Sequence, residues 1–305
     1  MSAPEVSIVM RSFNEAWALS DTLAMLRKQV GPTWELIVID SGSTDGSIKL
    51  IEQFGPAQFV QIASQDYVPG RVLNHGMRLA RANKVLFLNA DATPASEHWM
   101  APLASALDAP NVAAVFGRQI PRPDCRAVFA CDYERCFGEN RESARWDHFF
   151  SMVSSGLRKD IWSKRGFSEN LQFAEDDEYT RWVRAEGFQV VYCPESVAIH
   201  SHNYTPEQAY KRAFGDAKSL AASWPGEPSD FNWLKTVALG WASDFRHDLQ
   251  FCAKQRRISE LAHSAHVRWK QRLGRLHGFH EGWKTYRTNL QETARAVPAA
   301  SPRVA

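Results

Sequence analysis

Two hydrophobic periodicities take turns through the first hundred residues, and this alternation restricts the fold more than any other feature of the chain. "VSIVM" (6–10), "ELIVID" (35–40), "FVQIA" (59–63) and "KVLFLN" (84–89) are short unbroken apolar runs rich in β-branched residues. Between them, Leu19, Leu23, Leu26 and Val30 recur at helical spacing, and "STDGSIKLIEQF" and "RVLNHGMRLARA" read as two more helices. Strand and helix alternating at this spacing predict an α/β fold with a mostly parallel central sheet. Strands buried on both faces read as continuous apolar runs. In such sheets ligands bind outside the carboxyl ends of the strands. The residues at those ends are 11–15 (RSFNE), 40–43 (DSGS) and 89–91 (NAD). Three polar clusters expected at one sheet edge define a candidate site.

Beyond this region, "VAAVFGR" and "FQVVYC" predict further strands, and "AEDDEYTRWVRAEG" predicts a helix ending at Gly187. From about residue 206 the pattern is helical throughout. The expected organisation is therefore a catalytic domain over 1–205 and a helical extension over 206–305, disordered from about 290. A net charge of +2 gives no basis for nucleic-acid binding. No run of about 18 apolar residues predicts a membrane-spanning helix, and "MSAPEVSIVM" does not read as a signal peptide. The five cysteines lack metal or redox spacing, which fits reduced thiols in the cytoplasm. From Arg246 onward, 12 Lys and Arg stand against 4 Asp and Glu. That basic extension admits two readings. One is a solvated helical cap. The other is peripheral attachment to the inner face of the cell membrane through Lys254, Arg256, Arg257, Arg268, Lys270, Arg272 and Arg275.

The segments "SIVMRSFNE", "ELIVIDSGSTDGS", "LNADATP" and "FAEDDEYTRW" together resemble the inverting glycosyltransferases of family 2. "PGRVLNHG" and "VFGRQIPRPDC" are similar to the branch that includes bacterial rhamnosyltransferases and other polysaccharide-assembly enzymes. The resemblance implies a GT-A, Rossmann-like domain that binds a nucleotide-diphosphate sugar of dTDP, UDP or GDP type. It implies transfer to a glycan or lipid-linked oligosaccharide acceptor, assisted by Mn2+ or Mg2+. "EYTRW" is similar to the Gln-x-x-Arg-Trp box of processive synthases. Glu178 replaces its Gln and the box directly follows the acids, so a single addition is the better expectation.

The resemblance also implies roles. Asp40 would read the nucleobase or ribose, although it could instead cap the following helix. Phe13 would stack on the base or belong to the core. Arg11 offers a cation at the same edge. Glu15 would contact the ribose or close a capping box with Ser12. In the family's acid-x-acid motif the second acid binds metal, and Asp91 holds that place after Asn89 and Ala90. Asn89 can still bond a hydroxyl, but the site loses one negative charge, which leaves an inactive sugar-nucleotide-binding scaffold as the alternative function. His200 would supply a further metal ligand, with His202 as the alternate. Asp176 would be the base and Glu175 its brace, against the plain reading of an acidic first helical turn. Arg71 and Asn74 are donor-site candidates, and Arg118 and Gln119 candidates for lining the sugar pocket. Trp146 and Trp162 could stack on acceptor sugars. A nucleotidyltransferase or a dinucleotide dehydrogenase would need glycines after the first strand, where "RSFNEAW" has none.

Overall fold

The computed structural model describes residues 3–146, 148–223 and 228–296. Its strands are β1 (Val6–Ser12), β2 (Trp34–Asp40), β3 (Gln58–Gln61), β4 (Lys84–Asn89), β5 (Thr93–Pro94), β6 (Val112–Ile120), β7 (Ser154–Arg158) and β8 (Gln189–Ile199). The helices are α1 (Ala16–Arg27), α2 (Ser47–Phe54), α3 (Pro69–Leu79), α4 (Met100–Ala106), α5 (Ala127–Phe137), α6 (Lys159–Trp162), α7 (Glu175–Ala185), α8 (Pro206–Ser223), α9 (Gly240–Lys254) and α10 (Leu261–Ala296). The chain divides into two compact units, Met1–Asn203 and Tyr204–Ala305.

The first unit is built on one sheet of order β3-β2-β1-β4-β7-β6-β8-β5. Its first four strands are parallel, as the alternation predicts. Beyond β4 the sheet is mixed, because β7 runs antiparallel to both β4 and β6. The sequence gives β7 no apolar signal, since its residues are Ser-Ser-Gly-Leu-Arg. They are small because large neighbours fill the space. A Cβ on Gly156 would lie 2.6 Å from Leu86 Cδ2, and Ser154 Oγ accepts a hydrogen bond from the buried Trp99 indole at 2.8 Å. Apolar clusters cover both faces, one with Leu19, Val38 and Leu88, the other with Val9, Leu73 and Tyr179.

Register sets the site. Ser12 pairs with Asp40, and Arg11 with Asn89, so the carboxyl ends of β1, β2 and β4 lie level. Farther along, Thr93 of β5 and Ile120 of β6 both pair with Ile199 at the end of β8. That places the segment after β4 beside the one after β8.

The second unit is helical among its described residues. Gly274, Gly278 and Gly282 form a small stripe on α10 that lets α8 approach closely. A Cβ on any of them would meet a carbonyl oxygen of Tyr210, Phe214 or Lys218. Phe231 stacks on Phe279 with ring centroids 3.6 Å apart. Asp248 holds Arg268 and Asp244 holds Arg272, each at 2.7 Å, joining α9 to α10. Arg268 is only 3% exposed, so the expected basic surface loses two of its members to interhelical ion pairs. The tail expected to be disordered from about 290 lies largely outside the described residues. No glycine or proline interrupts the chain after Gly282 until Pro298, so α10 continues to Ala296. Residues 297–305 lie outside the described residues. No described helix is long and apolar enough to cross a membrane. Gly278→Ala puts a Cβ 2.1 Å from the Phe214 carbonyl oxygen. We expect it to destabilise the helical unit by about 1–3 kcal/mol, read as a fall in melting temperature. An unchanged Tm would contradict the close approach.

Candidate active site

The loops after β1 and β2 lock into one another. Asn14, in a left-handed conformation (φ 54°), donates its backbone N–H to Ser43 Oγ and accepts from Thr44 N–H, both at 2.8 Å. Asp40 is fully buried and builds the turn itself. It accepts from the backbone N–H groups of Gly42 and Ser43 at 3.0 and 2.8 Å, and from Ser43 Oγ at 2.6 Å. Its carboxylate therefore shapes the loop that a nucleotide would rest on. Asp45, which precedes the Gly46 N-cap of α2, accepts from Ser47 N–H at 3.0 Å. The capping box expected of Ser12 and Glu15 does not form. Ser12 Oγ is buried without a partner, and Glu15 accepts from Phe13 N–H at 3.4 Å. Burial, then the charge of Asp91, pushes the Glu15 carboxyl up to about 8. Phe13 is 49% exposed, free to stack on a planar ring.

The segment after β4 holds the chemistry. Ala90 is buried, and its N–H bonds to the Arg11 carbonyl at 3.1 Å. Asp91 is 1% exposed, yet neither carboxylate oxygen accepts a well-formed hydrogen bond. His202 Nε2 and His200 Nε2 lie 3.2 and 3.5 Å from its Oδ2, and 3.2 Å from each other. Burial works to raise the Asp91 carboxyl. His200, His202 and Arg122 outweigh it and hold the acid below its ordinary value. A buried carboxylate without hydrogen-bond donors, facing two imidazole nitrogens, is incomplete as it stands. Donors about 2.1 Å from one ion at right angles lie about 3 Å apart, which fits this triangle. The three residues can therefore hold one divalent cation. His202 joins His200 rather than replacing it.

Further polar groups surround this triangle: Gln119, expected to line the sugar pocket, and Tyr133 and Arg122, which no motif marks. Gln119 Oε1 is 3.0 Å from His200 Nδ1, and Gln119 Nε2 donates to Ser151 Oγ at 2.7 Å. With its amide oxygen turned to His200, Gln119 favours a proton on Nδ1 and leaves Nε2 as the ligand atom. Tyr133 OH also reaches Nδ1, at 2.9 Å. Arg122 donates to the Asp91 carbonyl and lies over the Trp17 ring. Gln119→Leu should weaken Mn2+ binding about 10- to 100-fold, measured by calorimetric titration. Undiminished affinity would show that His200 needs no such support.

Two links join this cluster to the acidic helix. Arg11 donates to Asn89 Oδ1 at 3.2 Å and to Glu175 Oε1 at 3.5 Å. An amide at position 89 thus serves Arg11 without adding charge beside Asp91. The second link runs through Ser151 and its neighbour Met152, whose N–H donates to Asp176 Oδ2 at 3.3 Å. Burial pushes the Asp176 carboxyl up, against the pull of the Asp177 N–H, the Arg11 charge and the Met152 N–H. A raised carboxyl is a stronger base. Just before α7, Ala174 is held left-handed (φ 59°, ψ 27°), a conformation glycine adopts freely and alanine does not. Strain of this kind collects at functional sites.

Asn74 stands apart from this constellation. Its amide donates to the Phe167 carbonyl and to Glu169 Oε1, and accepts from Phe167 N–H and the Trp162 indole, all at 2.9–3.0 Å. Those four bonds use its whole capacity, so Asn74 and Trp162 pin the segment before α7. Arg71 is exposed and lies 3.8 Å from Glu169. Trp146 is 42% exposed, its ring edge-on to Phe149.

A family model described as Glycosyl transferase family 2 matches residues 7–165. The O-antigen chain rhamnosyltransferase RfbN of Salmonella typhimurium is 28% identical over 240 residues, covering 74% of this chain and 76% of that protein. The O-antigen chain rhamnosyltransferase WbaN of Salmonella anatum is 26% identical over 223 residues, covering 69% and 70%. Among solved structures, the mannosyltransferase PcManGT from Pyrobaculum calidifontis, in complex with GDP-Man and Mn2+, superposes with a TM-score of 0.59. It is 18% identical and is covered over 95% of this chain and 88% of its own. That likeness shows the GT-A fold.

Proposed function

The chain belongs to glycosyl transferase family 2 and is a glycosyltransferase; from that premise we propose that it adds one rhamnose, from a dTDP donor, to a glycan or lipid-linked glycan during surface-polysaccharide assembly. The rhamnosyl assignment is supported by the two O-antigen relatives. The observation that carries the site assignment is the buried, unbonded carboxylate of Asp91 facing His200 and His202. Two imidazoles and one carboxylate suit Mn2+ better than Mg2+, so Mn2+ is the cation proposed. When bound, it would neutralise charge on the departing diphosphate.

The remaining chemistry belongs to the chain's own side chains. Phe13 offers an exposed ring to the base, and the locked loops at 13–16 and 41–47 form its bed. Asp176 takes the proton of the acceptor hydroxyl as that oxygen bonds to the anomeric carbon. The bond from that carbon to the diphosphate oxygen breaks, and the nucleotide leaves with the electron pair. Attack opposite the leaving group inverts the anomeric centre. Arg11, bonded to Asn89 and Glu175, keeps the donor edge and the base helix in register. The inactive-scaffold reading rested on the charge missing at Asn89. What weighs against it is the pair of histidines facing Asp91 and the half-buried carboxyl of Asp176. We place the protein in the cytoplasm, at the inner face of the membrane. The support is the exposed Lys254 and Arg256 together with exposed Trp233 and Leu234.

The test is transfer from dTDP-, UDP- and GDP-sugars with Mn2+, the product's anomeric configuration read by NMR. We expect dTDP-rhamnose to be the preferred donor and the configuration to invert. A retained configuration, or a different preferred sugar, would overturn the corresponding part of the proposal.

A further inference from the structure

Residues 163–174 join α6 to α7 without a helix or strand, and α7 carries the base. Stretches without regular structure are where a fold opens most readily. Outside α7, the Met152 N–H reaches the Asp176 carboxylate only at 3.3 Å, beyond the usual range for such a bond. The place of the base therefore depends on how α7 is seated.

The seat is built from α3. The four bonds of the Asn74 amide fall on Trp162, Phe167 and Glu169. Two glycines allow this approach. A Cβ on Gly70 would lie 2.0 Å from the Ser168 carbonyl oxygen, and one on Gly166 would lie 2.8 Å from Asn74 Oδ1. The same stretch also grips α7. The Phe167 ring lies 4.6 Å from that of Tyr179, which is fully buried, and Arg165 pairs with Glu178. Glu178 and Tyr179 share a helical turn with Asp176. Residues 165–169 are thus tied to α3 mainly through their backbone and to α7 through their side chains. Moving the first turn of α7 breaks either the packing of Phe167 on Tyr179 or the bonds of the amide. Those bonds are buried, where an unmade one is costly.

We propose that Asn74 is a positioning residue for the base. Its amide, with Gly70 and Gly166 beside it, fixes the segment that seats Asp176. "PGRVLNHG" then serves proton removal rather than donor binding. The inference rests on the base assignment above and names what holds that base in place.

The first readout needs no substrate. In Asn74→Ala, hydrogen exchange followed by mass spectrometry should speed up over 165–180 and stay as in wild type over 11–15 and 40–47. The second is release of dTDP from dTDP-rhamnose with Mn2+, water standing in for the acceptor hydroxyl. The water oxygen bonds to the anomeric carbon, its proton passes to Asp176, and dTDP leaves with the electron pair. Asn74→Ala should lower kcat about 10- to 100-fold, as a small misplacement does, and bind dTDP with Mn2+ as wild type does. Added to Asp176→Asn, it should lower kcat no further, because a positioning residue acts only through the group it positions. The same fall in both backgrounds would show a merely structural role and overturn the proposal. Weakened dTDP binding would also overturn it, by returning Asn74 to the donor site. So would exchange that changes only within α3. If Asn74→Ala does not fold, Trp162→Phe removes one bond of the amide and keeps an aromatic ring, and the same cycle is read on it with a smaller fall. The base assignment fails separately, as Asp176→Asn with wild-type kcat. Wild type that releases no dTDP would sink the dTDP-rhamnose reading, and the exchange pattern would then decide the clamp.

Discussion

Asp176→Asn lowers kcat by about 10²–10⁴-fold, the usual contribution of a positioned base, and leaves nucleotide affinity close to wild type. The amide keeps the size of the side chain but cannot take the acceptor proton. Its hydrogen-bond partners are the N–H groups of Met152 and Asp177 rather than Phe13, Asn89 or Asp91, so donor binding should be spared. The same carboxyl sets a pH dependence. Because its value is raised, the acid limb of kcat/KM should lie above the ordinary aspartate value of about 3.9. The sign for stability is opposite to that of a salt-bridged acid. The folded protein holds this proton more tightly than the unfolded chain does, so stability falls as pH rises from the unfolded value to the folded one. Asp176→Asn should flatten that fall. A variant with unchanged kcat would remove Asp176 from the base role.

Asp91→Ala should have the second large effect. The variant removes the only carboxylate of the triangle and leaves His200 and His202 facing each other. Charge neutralisation at a leaving diphosphate is worth several kcal/mol, so transfer with Mn2+ should drop by about 10³-fold. Calorimetric titration should show that Mn2+ no longer binds. Tight Mn2+ binding by Asp91→Ala would place the cation elsewhere. Asn89→Asp makes an instructive companion, since it adds a charge next to Arg11 and restores the acid-x-acid pattern.

Much of the architecture was legible because periodicity is a property of the strands themselves. The parallel half of the sheet and the level strand ends follow from four apolar runs and the helices between them. β7 was hidden because its packing demands serine and glycine, which carry no strand signal. The stripe Gly274, Gly278, Gly282 reads as three weak helix residues until α8 is seen pressed against it. In the site, Asp91 and His200 could be placed from motif order. The partnership of His200 with His202 needed the pairing of β5 with β8 to show that both face the same acid. Polar residues that serve their own backbone were the hardest to read. Asp40 and Asn74 have the chemistry of ligand contacts, yet one builds its turn and the other clamps residues 162–169. Type and position do not distinguish these uses, because only the count of satisfied donors and acceptors does.

The most direct test of the account is thermal unfolding of the wild-type protein with UDP, dTDP, GDP and CMP, each with and without Mn2+. A ligand that binds only the folded state stabilises it by mass action, by about 2.7 kcal/mol at a hundred times Kd. For a chain of this size that is several degrees of Tm. The account predicts that dTDP raises Tm with Mn2+ and far less without it, and that the other nucleotides lag behind. No shift with any nucleotide, or the same shift with and without metal, would contradict a donor site built on Asp91, His200 and His202.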